Sequence, residues 1–340
     1  MPHRFGRPAN RDQPLRSFVD EASRLRAFVP PFRFTSFFSP EDTLLCVCAS
    51  EAALAHARIP GSSGASSRRP LRIAELTTGS GLVGLHLLRI EKDSTLLGFD
   101  VDPVAVATSR RNAKTMGLHS RVRFECTDLW SDSMPDILRR FDPQLMVCNP
   151  PYVPEPDVRK LELEAGSGAD GTAHLMRTLE LADLVGPPAL ALSWCSLCDP
   201  ARIVREAESI GYFLNSLFVV LIADGEYSGS VHEHLRTLPH AYVSESSETM
   251  EAVAPDGSAR FGYLLMAGDF SRAENTATRK NGCDSSIERI CGEFSEYGID
   301  ALVNPIAPVP VRTWILDRWD ELRLRASLHG EVPKLTTSGT

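Results

Sequence analysis

"LRIAELTTGSGLVGLHLL", residues Leu71 to Leu88, changes character halfway along. It opens as a short apolar run, passes through Thr77, Thr78, Gly79, Ser80 and Gly81, and resumes with apolar residues at helical spacing. A strand that runs through a glycine-rich turn into a helix is the unit from which parallel sheets are built. Gly79, Gly81 and Gly84 have the G-x-G-x-x-G spacing of a nucleoside- or dinucleotide-binding turn, in which a backbone without side chains approaches its ligand closely. A tight structural turn satisfies the same spacing, so the neighbouring segments must decide.

Strand and helix patterns keep alternating downstream. Strands are predicted at about 71–76, 95–99, 121–125 and 143–148, each followed by a helical stretch or loop. That order implies a parallel sheet with helices on both faces. A helix at about 171–185, a strand at 188–194, a helix at 200–210 and strands at 213–223 and 260–267 follow, the last two suited to an antiparallel edge. In "GFDVDPVAVATSRRNAKTMGL", Asp102 is a natural N-cap, Pro103 a first helical residue and Gly117 a stop. Asp100 therefore ends a strand on the rim where open parallel sheets bind ligands, placed to accept from ribose hydroxyls. Asp128, in "RVRFECTDLW", holds the same place after the third strand and suits an adenine amino group; a loop cap is its alternative.

The fourth strand ends in "LMVCNPPYVP", Leu145 to Pro154. Each proline fixes its own φ and drives its predecessor toward extended geometry, so Asn149 and Pro150 are stiff. The Asn149 side-chain oxygen and the Pro150 carbonyl form two fixed acceptors, suited to the N–H pair of a planar amide or base amine. Such a nitrogen is a poor nucleophile because its lone pair is delocalised. Holding both N–H bonds favours a pyramidal nitrogen, so that positioning replaces a strong base. Tyr152 is expected to stack on the flat group and exclude water.

The order "ELTTGSG", "GFDVDP", "RVRFECTDLW" and "MVCNPPY" resembles the class I S-adenosylmethionine-dependent N-methyltransferases with an Asn-Pro-Pro-Tyr motif, and within them the HemK/PrmC group of protein-glutamine N5-methyltransferases. The resemblance covers about residues 38–270 and implies an α/β, Rossmann-like, seven-stranded sheet, mostly parallel with an antiparallel edge. It implies S-adenosyl-L-methionine as cofactor, with Glu75, Thr77, Gly79 and Gly81 at its methionine end, Asp100 at the ribose and Asp128 with Leu129 at the adenine. Asn149, Pro150 and Tyr152 would hold the acceptor amide as catalytic residues, with Asn149 also bordering the cofactor. Gly168, Asp170 and Gly171 match a Gly-x-Asp-Gly stretch of the group. Thr77 and Ser167 stand where the group usually has glycines.

Three segments are expected: an arm with a short helix over 1–38, the methyltransferase domain over 39–270, and an extension of unassigned role over 271–340. Within them, helices are predicted near Ser17–Phe28, from Ser39 or Pro40 to about Arg58, and over "TWILDRWDELRLRASL"; "SIERICGEFSEYGIDALV" reads as helix then strand. Pro60–Pro70 and "SRAENTATRKNGCDSS" read as loop and linker. The chain has 340 residues, 43% of them apolar, ample for a core. Its formal net charge of -8 argues against a surface coated in nucleic acid, though not against a local basic patch in the Arg-rich start. No apolar run approaches the roughly 20 residues a membrane helix needs. Eight cysteines, several in apolar runs (Cys46, Cys48, Cys148), read as reduced thiols of a cytoplasmic protein. Cys195–Cys198 and His232–His234 lack the spacing of a zinc finger, so no metal is expected. Trp194 with Phe32, Phe34, Phe37 and Phe38 reads as core before substrate wall.

The expected acceptor is a protein glutamine. An amino group of RNA or DNA bases is the alternative, then a small-molecule amine. A nicotinamide-dependent oxidoreductase would use the same glycines but leaves Asn149–Tyr152 unexplained. A non-catalytic scaffold is the remaining reading, motivated by Thr77.

Overall fold

The computed structural model describes residues 39–58, 70–156, 161–254, 256–272, 283–302, 305 and 307–315. Helix α1, Pro40–Ala57, is started by Ser39, whose hydroxyl accepts from the Asp42 N–H. Glu41 and Asp42 fill its first turn, where negative charge complements the helix dipole.

Eight strands then form one sheet: β1 (Arg72–Leu76), β2 (Thr95–Asp100), β3 (Val122–Cys126), β4 (Leu145–Cys148), β5 (Ala189–Cys195), β6 (Tyr212–Ala223), β7 (Gly262–Arg272) and β8 (Val311–Ile315). Their order is β3-β2-β1-β4-β5-β7-β6-β8, and among these strands only β7 runs against the rest. Every residue of β4 and β5 is buried, so both faces of the sheet centre are covered. Helices α2 (Leu82–Ile90), α3 (Pro103–Thr115), α4 (Met134–Phe141), α5 (Ala173–Val185) and α6 (Pro200–Ser209) connect the strands. Helix α1 lies on β4, β5, β6 and β7, burying Leu44, Leu45, Val47 and Ala53 there. Among the described residues no helix is long and apolar enough to cross a membrane.

The chain leaves β1 for β2 and β3 on one side, then returns to place β4 on the other. β1 and β4 pair in register, Glu75 with Val147 and Leu76 with Cys148. That topological switch point sets the residues after both strands beside one another, which is where open α/β sheets bind ligands.

Among the described residues eight strands are present where seven were expected. Helix was expected from Thr313, yet Val311–Ile315 is a strand that pairs parallel with β6, from Leu217–Val311 to Leu221–Ile315. The run Val-Arg-Thr-Trp-Ile is rich in β-branched and aromatic residues, and β6 offers an edge whose N–H and C=O groups need partners. The strand expected near Ile299 is a 3-10 turn over Gly298–Leu302, entered through Gly298 at a φ of 62°. It follows helix α10, here numbered after three short helices α7 (Glu226–Ser230), α8 (His232–Leu235) and α9 (Ser247–Val253); α10 itself spans Cys283–Tyr297 and packs on α6. The expectations for residues 1–38, the loop at 59–69, the linker at 273–282 and the stretch beyond 315 lie outside the described residues.

Candidate active site

A cavity of about 520 Å³ opens at the carboxyl ends of the strands, over the switch point. Its floor is the turn between β1 and α2. Thr77 takes a left-handed φ of 54°, which costs a residue with a side chain about 1–2 kcal/mol. Its hydroxyl donates to the Leu76 carbonyl at 2.5 Å, which offsets part of that cost. Gly79 and Gly81 continue the left-handed turn at φ 51° and 76°, and Gly81 caps α2.

Glu75 is 3% exposed and braces this turn from below. One carboxyl oxygen accepts from the Thr78 hydroxyl at 2.5 Å and the other from the Gly84 N–H at 3.2 Å. Burial pushes its pKa up to about 7, against the pull of those two hydrogen bonds. As pH rises from 4.5 the unfolded chain loses this proton first while the fold retains it. Stability therefore falls across that window, by roughly 3 kcal/mol in total, and levels off above about pH 7. Glu75→Gln should remove this slope: urea melts of variant and parent at pH 5 and pH 7.5 are expected to diverge in the variant's favour at the higher pH. A constant difference would show that Glu75 does not titrate there.

Gly84 is a close-packing glycine. A Cβ there would lie 2.5 Å from Glu75 Oε2 and 2.6 Å from a Leu96 methyl. Alanine gains up to about 1 kcal/mol in helix propensity, but overpacking costs about 1–3 kcal/mol, so the clash wins. Gly84→Ala should lower the urea midpoint; an unchanged or higher midpoint would contradict this packing.

Asp100 ties the rim to the turn. Its Oδ2 accepts from the Gly79 N–H at 2.7 Å and its Oδ1 from the Asp102 N–H at 2.9 Å. Burial raises its pKa, with those backbone bonds opposing. Asp102 caps α3 as expected, accepting from Val104 and Ala105. Asp128 Oδ1 closes a turn by accepting from the Trp130 N–H at 2.9 Å, and the Leu129 carbonyl is held by Arg177 at 3.0 Å. All the sequence-predicted cofactor residues, Glu75, Thr77, Gly79, Asp100, Asp128, Leu129 and Asn149, line the cavity except Gly81, which lies behind it against Phe124 and Ser109.

Asn149 follows β4 directly. Its side-chain Oδ1 is buried and has no hydrogen-bond partner. A buried acceptor left empty costs about 1–3 kcal/mol, so such an atom marks a place where a donor from outside fits. Pro150, Pro151 and Tyr152 continue the cavity wall.

Tyr152 is expected from the sequence to stack on the flat acceptor and exclude water, and the structure adds a hydrogen bond to that role. Its ring is 9% exposed, and its hydroxyl donates to Asp42 of α1 at 2.5 Å. Burial and the neighbouring Asp42 carboxylate raise the phenol pKa well above its ordinary value, so the ring stays a neutral donor. Beyond it, Val153 pairs with Ala165 and Ser167 through backbone bonds of 2.9 and 3.1 Å. Gly171 sits against the same segment: a Cβ there would fall 2.4 Å from the Tyr152 carbonyl. Asp170 accepts from Thr172 and pairs with Arg202, pinning this buttress.

The structure adds residues that sequence patterns did not pick out. Glu41 and Asp42 of α1, and Asp224, Tyr227 and Tyr263 around β6 and β7, line the cavity. Trp130 stands edge-on to His174, ring centroids 4.8 Å apart, and His174 meets the Ser167 hydroxyl at 2.8 Å. Ser167 thus has a side-chain partner in His174. "SPED", Ser39 to Asp42, carried the signal for α1 only as a helix start. Trp194 is fully buried against Phe270 and belongs to the core; Phe32, Phe34, Phe37 and Phe38 lie outside the described residues. Cys195 and Cys198 are buried, with the Cys198 thiol on the Cys195 carbonyl at 3.0 Å, whereas His232 meets Glu245 at 3.0 Å.

Residues 65–164 match the family model "Methyltransferase small domain". The chain is 38% identical over 109 residues to the release factor glutamine methyltransferase of Rhodospirillum rubrum, covering 29% of this chain and 32% of that protein. It is 33% identical over 121 residues to the ribosomal protein uL3 glutamine methyltransferase of Francisella tularensis, covering 33% and 36%. The chain spans about a third of the length of these curated relatives. A solved structure of ribosomal protein L11 methylase from Lactobacillus delbrueckii subsp. bulgaricus aligns with a TM-score of 0.38 at 13% identity, covering 70% of this chain and 81% of that one. Residues 65–164, the span that is similar to the methyltransferase small domain, hold the glycine turn, both rim acids and Asn149–Tyr152.

Proposed function

We propose that this protein is an S-adenosylmethionine-dependent N-methyltransferase whose acceptor is the side-chain amide of a glutamine in a protein. The observation that carries the reading is Asn149 Oδ1, buried and without a partner at the wall of the cavity. The residues fit the cofactor: a turn in which Gly79 presents no Cβ, a carboxylate at the end of β2 and a second after β3 surround a cavity within the usual size of cofactor sites. Glu75, Thr77 and Gly79 would form its methionine end, with Gly81 shaping the turn from behind, Asp100 would accept from the ribose, and Asp128 with Leu129 would meet the adenine. When bound, the cofactor supplies an electrophilic methyl group on a sulfonium.

The chain's own work is positioning. Asn149 Oδ1 and the Pro150 carbonyl accept the two amide N–H bonds, which weakens delocalisation and turns the lone pair toward the methyl donor. Tyr152, fixed by Asp42, closes the wall beside the amide and keeps water away. The surplus proton leaves to solvent afterwards. The test is incubation of cell extract with labelled S-adenosylmethionine, followed by separate protease and nuclease digestion. Label released by protease supports the reading; label released by nuclease moves the acceptor to a base amine. Binding of NAD in place of S-adenosylmethionine would overturn it.

A further inference from the structure

The cavity is electrostatically one-sided. Among its described lining residues there is no Lys or Arg. On the cofactor half the carboxyl groups are Glu75 within β1, Asp100 at the end of β2, Asp102 just beyond it and Asp128 after β3. On the other half, four more belong to α1, to the segment paired with Val153 and to the end of β6: Glu41, Asp42, Glu164 and Asp224. Two of these have structural duties. Asp42 holds Tyr152, and Asp224 Oδ1 accepts from the Arg260 and Phe261 N–H groups at 2.7 and 3.4 Å. Glu164 is different: it is exposed, and its Oε1 accepts from the Tyr227 hydroxyl at 2.9 Å. That bond joins α7 to the segment beside Val153 at the cavity wall and holds the carboxylate at the acceptor entrance. Among the described residues no group of three or more His, Cys, Asp or Glu is placed to hold a metal ion.

A phosphate backbone gains its binding from Lys and Arg and is repelled by carboxylates. A polypeptide carrying positive charge gains from the same field. We infer that the acceptor is a cationic polypeptide segment, with Lys or Arg beside the methylated amide, and that Glu164 is a specificity-determining residue for it. This inference rests on the methyltransferase reading above and adds the chemical class of the acceptor.

The probes are short fluorescein-labelled peptides with one central glutamine, flanked by lysines, by serines or by glutamates, together with a single-stranded oligonucleotide. With the full chain and S-adenosylmethionine, kcat/KM for the lysine-flanked peptide should exceed that for the glutamate-flanked one by about tenfold at low salt, mostly through KM, and the gap should shrink as salt rises. Anisotropy with S-adenosylhomocysteine present should give the same ranking for binding. Glu164→Gln, which keeps an acceptor for Tyr227, should reduce the lysine-to-glutamate ratio severalfold, and Glu164→Lys should invert it. Equal binding of the peptides at every salt concentration, or tighter binding of the oligonucleotide, would overturn the inference. Anisotropy reads the charge preference without turnover. Loss of the methyltransferase reading, seen as no cofactor binding by calorimetry, is thereby kept apart from loss of this one.

Discussion

Asn149→Ala is expected to cut methyl transfer by about 10²–10³-fold while leaving the S-adenosylmethionine dissociation constant within about twofold. The oxygen it removes would be used on the acceptor amide, where its effect is felt as the nitrogen pyramidalises. Folding should respond in the opposite direction. Asn149 Oδ1 is buried and unpaired in the protein, and relieving an unsatisfied acceptor returns part of about 1–3 kcal/mol. The truncated side chain borders an existing cavity, so no new enclosed void offsets that gain. The variant should therefore melt at or above the parent's temperature while being nearly inactive. Asn149→Asp keeps an acceptor oxygen at this position and should retain activity above the alanine variant. The measurements are single-turnover methyl transfer, calorimetric cofactor binding and thermal melting. Full turnover in Asn149→Ala, or a drop of several degrees in its melting temperature, would remove the side chain from its assigned role.

The half of the fold that makes the cofactor side was legible because its signals are local. Apolar runs of strand length, the Asp102-Pro103 start and the Gly117 stop lie within a few residues of the elements they define. The placement of Asn149 beside the glycine turn was legible one level up, since the returning fourth strand has to pair with β1. What escaped is long-range. Tyr152 meets Asp42 across 110 positions, and Tyr227 meets Glu164 across 63. No periodicity within either segment records those partners. β8 was misread for a related reason: apolar spacing near Thr313 satisfies a helix, and only the open edge of β6 selects a strand. Asp128 shows the two readings of one acid together, a turn cap through Oδ1 and a cavity-lining carboxylate.

Asp100→Asn carries the second large effect, and its sign follows from a count of donors. The carboxylate accepts the Gly79 N–H on one oxygen and the Asp102 N–H on the other. An amide has a single oxygen, so one of those N–H groups would face an NH₂ and lose its acceptor. Unbound protein should lose at most about 1–3 kcal/mol, the cost of leaving a part-buried donor unmet. Bound protein should lose more, because hydrogen bonds from ribose hydroxyls to a charged acceptor are worth about 1.5–3 kcal/mol each. Affinity should fall on the order of 10- to 100-fold. If the contact is to the ribose, S-adenosylmethionine and S-adenosylhomocysteine should weaken by similar factors, since they share that sugar. If the carboxylate acted through its charge on the sulfonium, only the methylated form would weaken strongly. Paired calorimetric titrations of parent and variant with both ligands decide between these, and a selective loss for S-adenosylmethionine would place Asp100 on the sulfur and not on the ribose.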